Sequence, residues 1–396
     1  MATMETQWKT IIEPFKIKSV EPLGFSSRAE RKKLLERAGY NLFNIPADKV
    51  LIDYLTDSGT NAMSSEQWSA IMRGDESYAG ARSFFVFESA IQKITGYKKV
   101  IPVHQGRAAE RILFAVIGGP GKYVLANTLF DTTRANVEGS GSVAVDLPVK
   151  SASEFQTQAP FKGNVDLKAL EQTINDVGPQ RVALVLMTVT NNAMGGQPAS
   201  IENLKGVRKI CSRYRLPFLL DAARFAENAY LIKMREPACR SLSIPEIARR
   251  MFDLADGCLV SAKKDGLTNI GGFMALNNEE WVRKAKEILI LGEGFPTYGG
   301  LAGRDLEAIA RGLEEVLDEE YLKYRIRSVE YLGKGLKKAG VPIVEPPGGH
   351  AIYVDVKSFL PHIPPYQFPG QALACALYLE AGIRSFEIGS LSMGSG

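Results

Sequence analysis

The run Arg181-Val182-Ala183-Leu184-Val185-Leu186-Met187-Thr188-Val189 is the most apolar strand candidate in the chain, and it opens into Thr190-Asn191-Asn192-Ala193-Met194-Gly195-Gly196-Gln197-Pro198. A short unbroken apolar run closed by a glycine-bearing loop reads as a strand buried on both faces, as in a parallel sheet. Ile201 to Tyr214 follows with helical character, and Pro217 to Leu220 is a second apolar run. Strand, helix and strand in that order are the parts of a right-handed crossover. Outward from this unit, Lys122 to Leu125 and Val143 to Asp146 precede it, while Gly257 to Val260 and Gly272 to Leu276 come after. From Val100 the chain thus alternates strand and helix signals, which predicts an α/β fold with a mostly parallel sheet. From Leu306 to Lys338 the positions Ile309, Leu313, Val316, Leu317, Tyr321, Tyr324, Val329 and Leu332 predict one long helix, closed by Gly340. Val341 to Val344, Ala351 to Val356 and Gln371 to Ala381 then alternate strand and helix signals, so a smaller α+β unit is expected, with the charged segment Arg28 to Arg37 packed on it. The expected division is residues 1–49 in the small domain, 50–310 in the large domain and 311–396 in the remainder of the small one.

A chain of 396 residues, 45% hydrophobic and 23% charged, has the make-up of a globular enzyme with more than one core. The formal charge of +4 is spread through the sequence, with no basic tract to suggest nucleic acid, so a small-molecule substrate is the expected partner. The four cysteines, Cys211, Cys239, Cys258 and Cys375, are too few for a disulfide scaffold, and none forms a Cys-x-x-Cys pair. Met1 to Thr10 has no apolar signal core and no run is long enough to span a bilayer, so a cytoplasmic setting is expected and neither secretion nor membrane insertion is.

In open α/β sheets ligands gather at the carboxyl ends of strands. Four such places carry polar residues. His104-Gln105-Gly106-Arg107 follows Val100 to Val103 and precedes a helix, so its amides would sit where a helix amino end favours phosphate. By itself it is equally well a plain strand-to-helix turn. The glycines of the 190–198 loop let backbone approach a ligand. Asp221, in Asp221-Ala222-Ala223-Arg224, closes a strand and has the commoner alternative of a helix cap. In Ser261-Ala262-Lys263-Lys264-Asp265, paired lysines are most often a solvated surface pair.

The order of the four favours chemistry over these alternatives. A phosphate turn, an Asn in a glycine loop, a strand-end Asp and a later Ser-x-Lys-Lys are the parts that pyridoxal phosphate needs together. A lysine must link to the aldehyde, and burial with a cationic neighbour helps its amine lose a proton. A carboxylate must face the pyridine nitrogen so that the ring can accept electrons. Phe130 is the candidate aromatic cover.

On these residues the sequence resembles the β-eliminating lyases of pyridoxal-phosphate fold type I, whose members release indole from tryptophan or phenol from tyrosine. The resemblance runs through Glu13-Pro14-Phe15, Leu55 to Thr60, Gly74 to Gly80, the His-Gln-Gly-Arg turn, Asn192 with Gly195 to Pro198, Arg224 to Tyr230, Ser261 to Asp265, Tyr298 to Leu301 and Gly348-Gly349-His350-Ala351. It implies an aspartate aminotransferase-like fold, with a large domain built on the parallel sheet and a smaller α+β domain. It also implies that Lys264 bonds the cofactor and removes the Cα proton, and that Asp221 pairs with the ring nitrogen. Asn192 and Arg224 would reach the phenolic oxygen, Phe130 would stack on the ring, and Gln105, Gly106, Arg107 and Ser261 would hold the phosphate. Thr56 and Ser58 fall on the substrate carboxylate side, and Tyr78 on the acid that assists the leaving group, with a packed aromatic as its less favoured alternative. Gly59, Glu76 and Asn269 match the ligands of a potassium ion at a subunit interface, which suits oxygen donors. A homotetramer is implied, with active sites between paired subunits and Tyr78 or Tyr298 supplied across the boundary.

Two positions speak to the leaving ring. Asp131 stands after Phe130, as in the indole-releasing members, where the phenol-releasing ones carry threonine. Ile388, in Gly382-Ile383-Arg384-Ser385-Phe386-Glu387-Ile388-Gly389, stands where the latter place an arginine for the phenol hydroxyl. A buried arginine left unpaired by indole would be costly, so Ile388 suits the larger, less polar ring. Asp131 could stabilise the charge or the N–H that develops on the indole nitrogen. The expected reaction is conversion of L-tryptophan to indole, pyruvate and ammonia. The alternatives are release of phenol from L-tyrosine, cofactor binding without turnover, and transamination, which needs no acid at the ring. Two departures from the family stand out. Ala108 replaces a common glycine, and the sequence ends at Met393-Gly394-Ser395-Gly396, before a segment in which the family carries an arginine for the substrate carboxylate.

Overall fold

In the computed structural model, which describes residues 11–388, the seven apolar runs and two short segments outside them form nine strands. They are β1 (Ile52–Asp53), β2 (Lys99–Val103), β3 (Tyr123–Ala126), β4 (Val143–Asp146), β5 (Val182–Thr188), β6 (Phe218–Asp221), β7 (Gly257–Ser261), β8 (Gly272–Leu276) and β9 (Ile383–Arg384). Seven of them form one sheet in the order β2-β8-β7-β6-β5-β3-β4. Only β8 runs against its neighbours β2 and β7, so the other six point the same way.

The alternation within β5 shows why the run had to be apolar throughout. Val185 and Met187 enter the cluster that includes Phe218 in this register, whereas Leu184 and Leu186 enter the opposite cluster with Val124 and Leu219. Successive side chains of a strand point to opposite faces, and helices cover both here. The crossover helix is Ile201–Tyr214, begun by Ser200, whose hydroxyl accepts from the Asn203 amide at 3.0 Å.

Two expectations about the carboxy-terminal part are corrected. The helix predicted over Leu306 to Lys338 is two helices, Gly303–Glu315 and Glu319–Lys338. Asp318 starts the second by accepting from the Tyr321 amide at 2.9 Å, with Glu319 and Glu320 at its positive end. The apolar period continues across the break because Val316 stays buried, which hides the break from the sequence pattern. Val341 to Val344 and Ala351 to Val356 form no strand and share only the bridge Ile343–Val354. The third run is helical, Pro369–Ala381, and packs on the helix Arg28–Arg37 through Leu35, Ala38, Leu42, Ile45, Ala374 and Tyr378. β1 and β9 pair in parallel beside it, and the Arg384 guanidinium donates to Asp53 and, at 2.9 Å, to the Ile45 carbonyl. Among the described residues no helix is long and apolar enough to cross a membrane. Met1 to Thr10 and Met393 to Gly396 lie outside the described residues.

Candidate active site

Because β2, β5, β6 and β7 run in one direction, the four places singled out in the sequence meet at one edge of the sheet. After β2 comes His104, followed by Gln105 as the residue before the helix Gly106–Ile117. β7 ends on Ser261, and a Cβ at Gly106 would stand 2.7 Å from the Ser261 Cβ. Only glycine lets this helix end approach β7 so closely. Gln105 also bridges Gly271 next to β8. The helix-end amides and the Ser261 hydroxyl thereby lie side by side as donors suited to a phosphate, while Arg107 stands exposed beside them.

Lys264 Nζ lies 3.2 Å from Ser261 Oγ. Burial and the positive charge of Arg224 hold its amine below the usual lysine range. Burial raises the Asp221 carboxyl, opposed by the charges of Lys264 and Arg224 and by a hydrogen bond from the Ala223 amide. The Arg224 side chain is buried; its Nη2 donates to Asp57 Oδ2 at 2.9 Å, and its Nη1 makes no hydrogen bond and lies 3.7 Å from Glu227. Asn192 Oδ1 accepts from the Tyr353 hydroxyl at 2.7 Å, which leaves its amide N–H groups as donors. Phe130, half-buried, immediately precedes the helix Asp131–Gly139.

Pyridoxal phosphate fits this arrangement. The glycine cradle suits its phosphate, the buried Nη1 of Arg224 lacks a hydrogen-bond acceptor that the cofactor could supply, and the amine of depressed pKa and the carboxyl act on one another electrostatically.

The residues expected on the substrate side are more dispersed. Thr56 is exposed and its hydroxyl donates to Asp53 Oδ2 at 2.7 Å, next to β1; Ser58 is half-buried in the same loop. Asp131 is half-buried, and its carboxyl is raised by burial and by the nearby Glu387, with Arg134 opposing. The chain after β9 therefore brings Glu387 near Asp131, and the half-buried Ile388 is the next residue. Tyr78 is 62% exposed, stacks on Phe295 with ring centres 5.5 Å apart, and lines a cleft of about 280 Å³ with Glu76 and Tyr298. The Gly59 amide donates to the Lys263 carbonyl at 2.8 Å, and a Cβ there would lie 3.2 Å from the Asn269 carbonyl, so these two positions adjoin. Glu76 is engaged elsewhere, by Arg304 at 2.8 Å and the Gly303 amide at 3.2 Å.

Three residues at this edge carried no role in the sequence reading. Asp57 stood inside the quoted Leu55 to Thr60 stretch, Tyr353 lies three residues after His350, and Glu110 lies one helical turn after Gly106. That last spacing of four was the available signal. A larger open cleft of about 510 Å³, lined by Lys122, Gln180 and Trp281, opens beside the starts of β3 and β5, the end of the sheet opposite the site.

Residues 53–395 match the β-eliminating lyase family. The chain belongs to it. Within the family, it is 57% identical over 385 residues to a tryptophanase of Salinibacter ruber, covering 97% of this chain and 82% of that protein. To a tyrosine phenol-lyase of Symbiobacterium thermophilum it is 49% identical over 392 residues, covering 99% of this chain and 85% of that protein. Among solved structures it is similar to a serine palmitoyltransferase from S. paucimobilis carrying a PLP–myriocin aldimine, with TM-score 0.62, 14% identity and 91% and 89% of the two chains covered. That likeness shows the fold, which is fold type I of the pyridoxal-phosphate enzymes. As a β-eliminating lyase the chain is a pyridoxal-phosphate-dependent carbon–carbon lyase.

Proposed function

We propose that this β-eliminating lyase converts L-tryptophan to indole, pyruvate and ammonia. The observation that carries the choice of leaving ring is that Glu387 acts on Asp131 through its charge, so that the chain nearby offers carboxyl groups, with the apolar Ile388 next in sequence in place of a cation. Such surroundings suit an apolar ring with one N–H donor and would leave a phenol hydroxyl without a cationic partner.

When bound, pyridoxal phosphate supplies an electron sink for the carbanion at Cα. The chain supplies the rest. Lys264, held below its ordinary pKa by burial and Arg224, would bond the cofactor at rest and, once the substrate amine has displaced it, would take the Cα proton on its free Nζ. Asp221 keeps a proton at the ring nitrogen. Arg224 Nη1 and the Asn192 amide would donate to the phenolic oxygen, and the amides of Gln105, Gly106 and Arg107 with Ser261 would hold the phosphate. Phe130 covers the ring, Thr56 and Ser58 receive the substrate carboxylate, and Tyr78 delivers the proton to the indole carbon that bears the side chain. Asp131 accepts from the indole N–H as positive charge develops there.

Tyr78 lies in an exposed aromatic cluster, which supports its being supplied to a partner subunit's site within a homotetramer. The proposed potassium ion takes the adjoining backbone of Gly59 and Asn269 from one subunit and the Glu76 carboxylate from another.

The deciding experiment incubates the protein and pyridoxal phosphate with tryptophan or with tyrosine and identifies the products. Indole and pyruvate from tryptophan support the proposal. Phenol from tyrosine as the faster reaction replaces it with the phenol-lyase reading, and a coloured protein with no product from either means cofactor binding without turnover.

A further inference from the structure

Glu110 is a buried carboxyl without a cationic hydrogen-bond partner. It stands one turn into the helix whose amino end faces the phosphate position, and only 8% of it is exposed. Its Oε1 accepts from the Thr133 hydroxyl at 2.7 Å, and its Oε2 accepts from the Thr132 hydroxyl at 2.9 Å and the Asn136 amide at 3.3 Å. All three donors lie on the helix Asp131–Gly139, whose first residue is Asp131 and which Phe130 immediately precedes. One carboxyl thus ties the phosphate-binding helix to the helix that presents the ring cover and the leaving-group carboxylate.

We propose that Glu110 is a positioning residue that fixes the first turn of the Asp131–Gly139 helix and sets the field in which Asp221 holds the ring nitrogen's proton. This rests on the reading of Asp221 as the partner of that nitrogen.

The surroundings support it. Asp221 at the end of β6 acts on Glu110 through its charge. On the facing helix, Arg134 is committed to Asp146 at 2.6 Å and to Glu138 at 3.3 Å, and Asp131 lies at the helix start. Arg107 and Arg111 on its own helix are exposed. β7 offers only the buried Cys258 thiol and β8 no ionisable group. On the helix Glu279–Gly292, Arg283 pairs with Glu287 and Lys284 with Glu280 on the exposed surface. With no cation to offset burial, the Glu110 carboxyl is pushed up to about 7, first by burial and then by Asp221, while its three donors pull the other way. Ionised, it favours retention of a proton at the ring nitrogen. Its folded pKa exceeds the ordinary 4.5, so its protonated form contributes stability below that value, and the contribution is lost as pH rises towards about 7.

The test compares wild type with Glu110→Gln, which keeps the size and an acceptor. In cofactor-free protein, the thermal midpoint of the variant should gain on wild type by about 2 °C or more between pH 5 and pH 8. In cofactor-loaded protein, the pH midpoint of the visible absorbance change should fall by about half a unit, and kcat should fall with KM little changed. Thr133→Val, which loosens the same clamp from the other helix and guards against a misfolded glutamine variant, should move the absorbance midpoint, and the double variant should move it less than the sum. An absorbance midpoint unchanged in both single variants overturns the proposal, whatever the thermal data show, because a purely structural carboxyl would leave it in place. Additive shifts overturn the clamp. If wild type itself shows no visible band with pyridoxal phosphate, the reading of the site fails instead, and the cofactor-free pH trend still reports on Glu110.

Discussion

Lys264 and Tyr78 are assigned to consecutive proton transfers, yet their surroundings differ sharply. Lys264 lies at the carboxyl edge of the central sheet, between Ser261, Arg224 and Asp221, and that burial depresses its pKa. Tyr78 is 62% exposed on a loop, stacked on Phe295 above a cleft shared with Glu76 and Tyr298. The residues proposed to hold the cofactor gather at one edge of the central sheet, because charges can be brought together out of water only where a packed core holds them. The half that handles the leaving ring is spread over exposed loops and the segment after β9. In the proposed homotetramer a second subunit would supply what the single chain leaves apart.

The largest effect should come from the buried half. Lys264→Ala should abolish the visible absorbance of the bound cofactor after dialysis and reduce pyruvate release by more than about a thousandfold. Retention of the band would remove the covalent assignment and with it the contrast. Asp131→Ala should slow indole release by about a hundredfold while exchange of the Cα proton with solvent falls far less. Equal losses in both would place Asp131 outside the leaving-group step. Tyr78→Phe should lower indole release in the same selective way, and mixing it with Lys264→Ala subunits should restore measurable activity if the tyrosine serves a partner's site; mixtures as inactive as their parents would locate Tyr78 within its own chain. Replacing potassium by sodium should reduce activity several-fold, as should Glu76→Ala, with the variant indifferent to the cation. Smallest is Tyr353→Phe, which removes the donor to Asn192 and should cost about 1 kcal/mol in denaturant unfolding, with a shift in the absorbance of bound cofactor. An unshifted spectrum would mean that Asn192 does not depend on that contact.

The parallel sheet, the four strand-end sites and the resemblance to the β-eliminating lyases were legible in the residues themselves. An apolar run such as Val182–Thr188, ending in a loop with paired glycines, permits few other readings, because every side chain on it must be covered. The order of polar residues after such runs then names the edge where they meet. Less was legible where periodicity carried on through a break, as at Val316 to Asp318, or where short apolar runs packed without pairing, as around Ile343 and Val354. Nor could the sequence couple Glu110 to Thr132 and Thr133, Arg224 to Asp57, or Asn192 to Tyr353. Local pattern determines which faces of an element must be buried, and that was enough for the fold and the cofactor edge. Which polar groups meet across elements distant in the chain depends on how those elements pack, and the tertiary structure alone decided the partners that hold Lys264, Asn192 and Arg224 in charge and orientation.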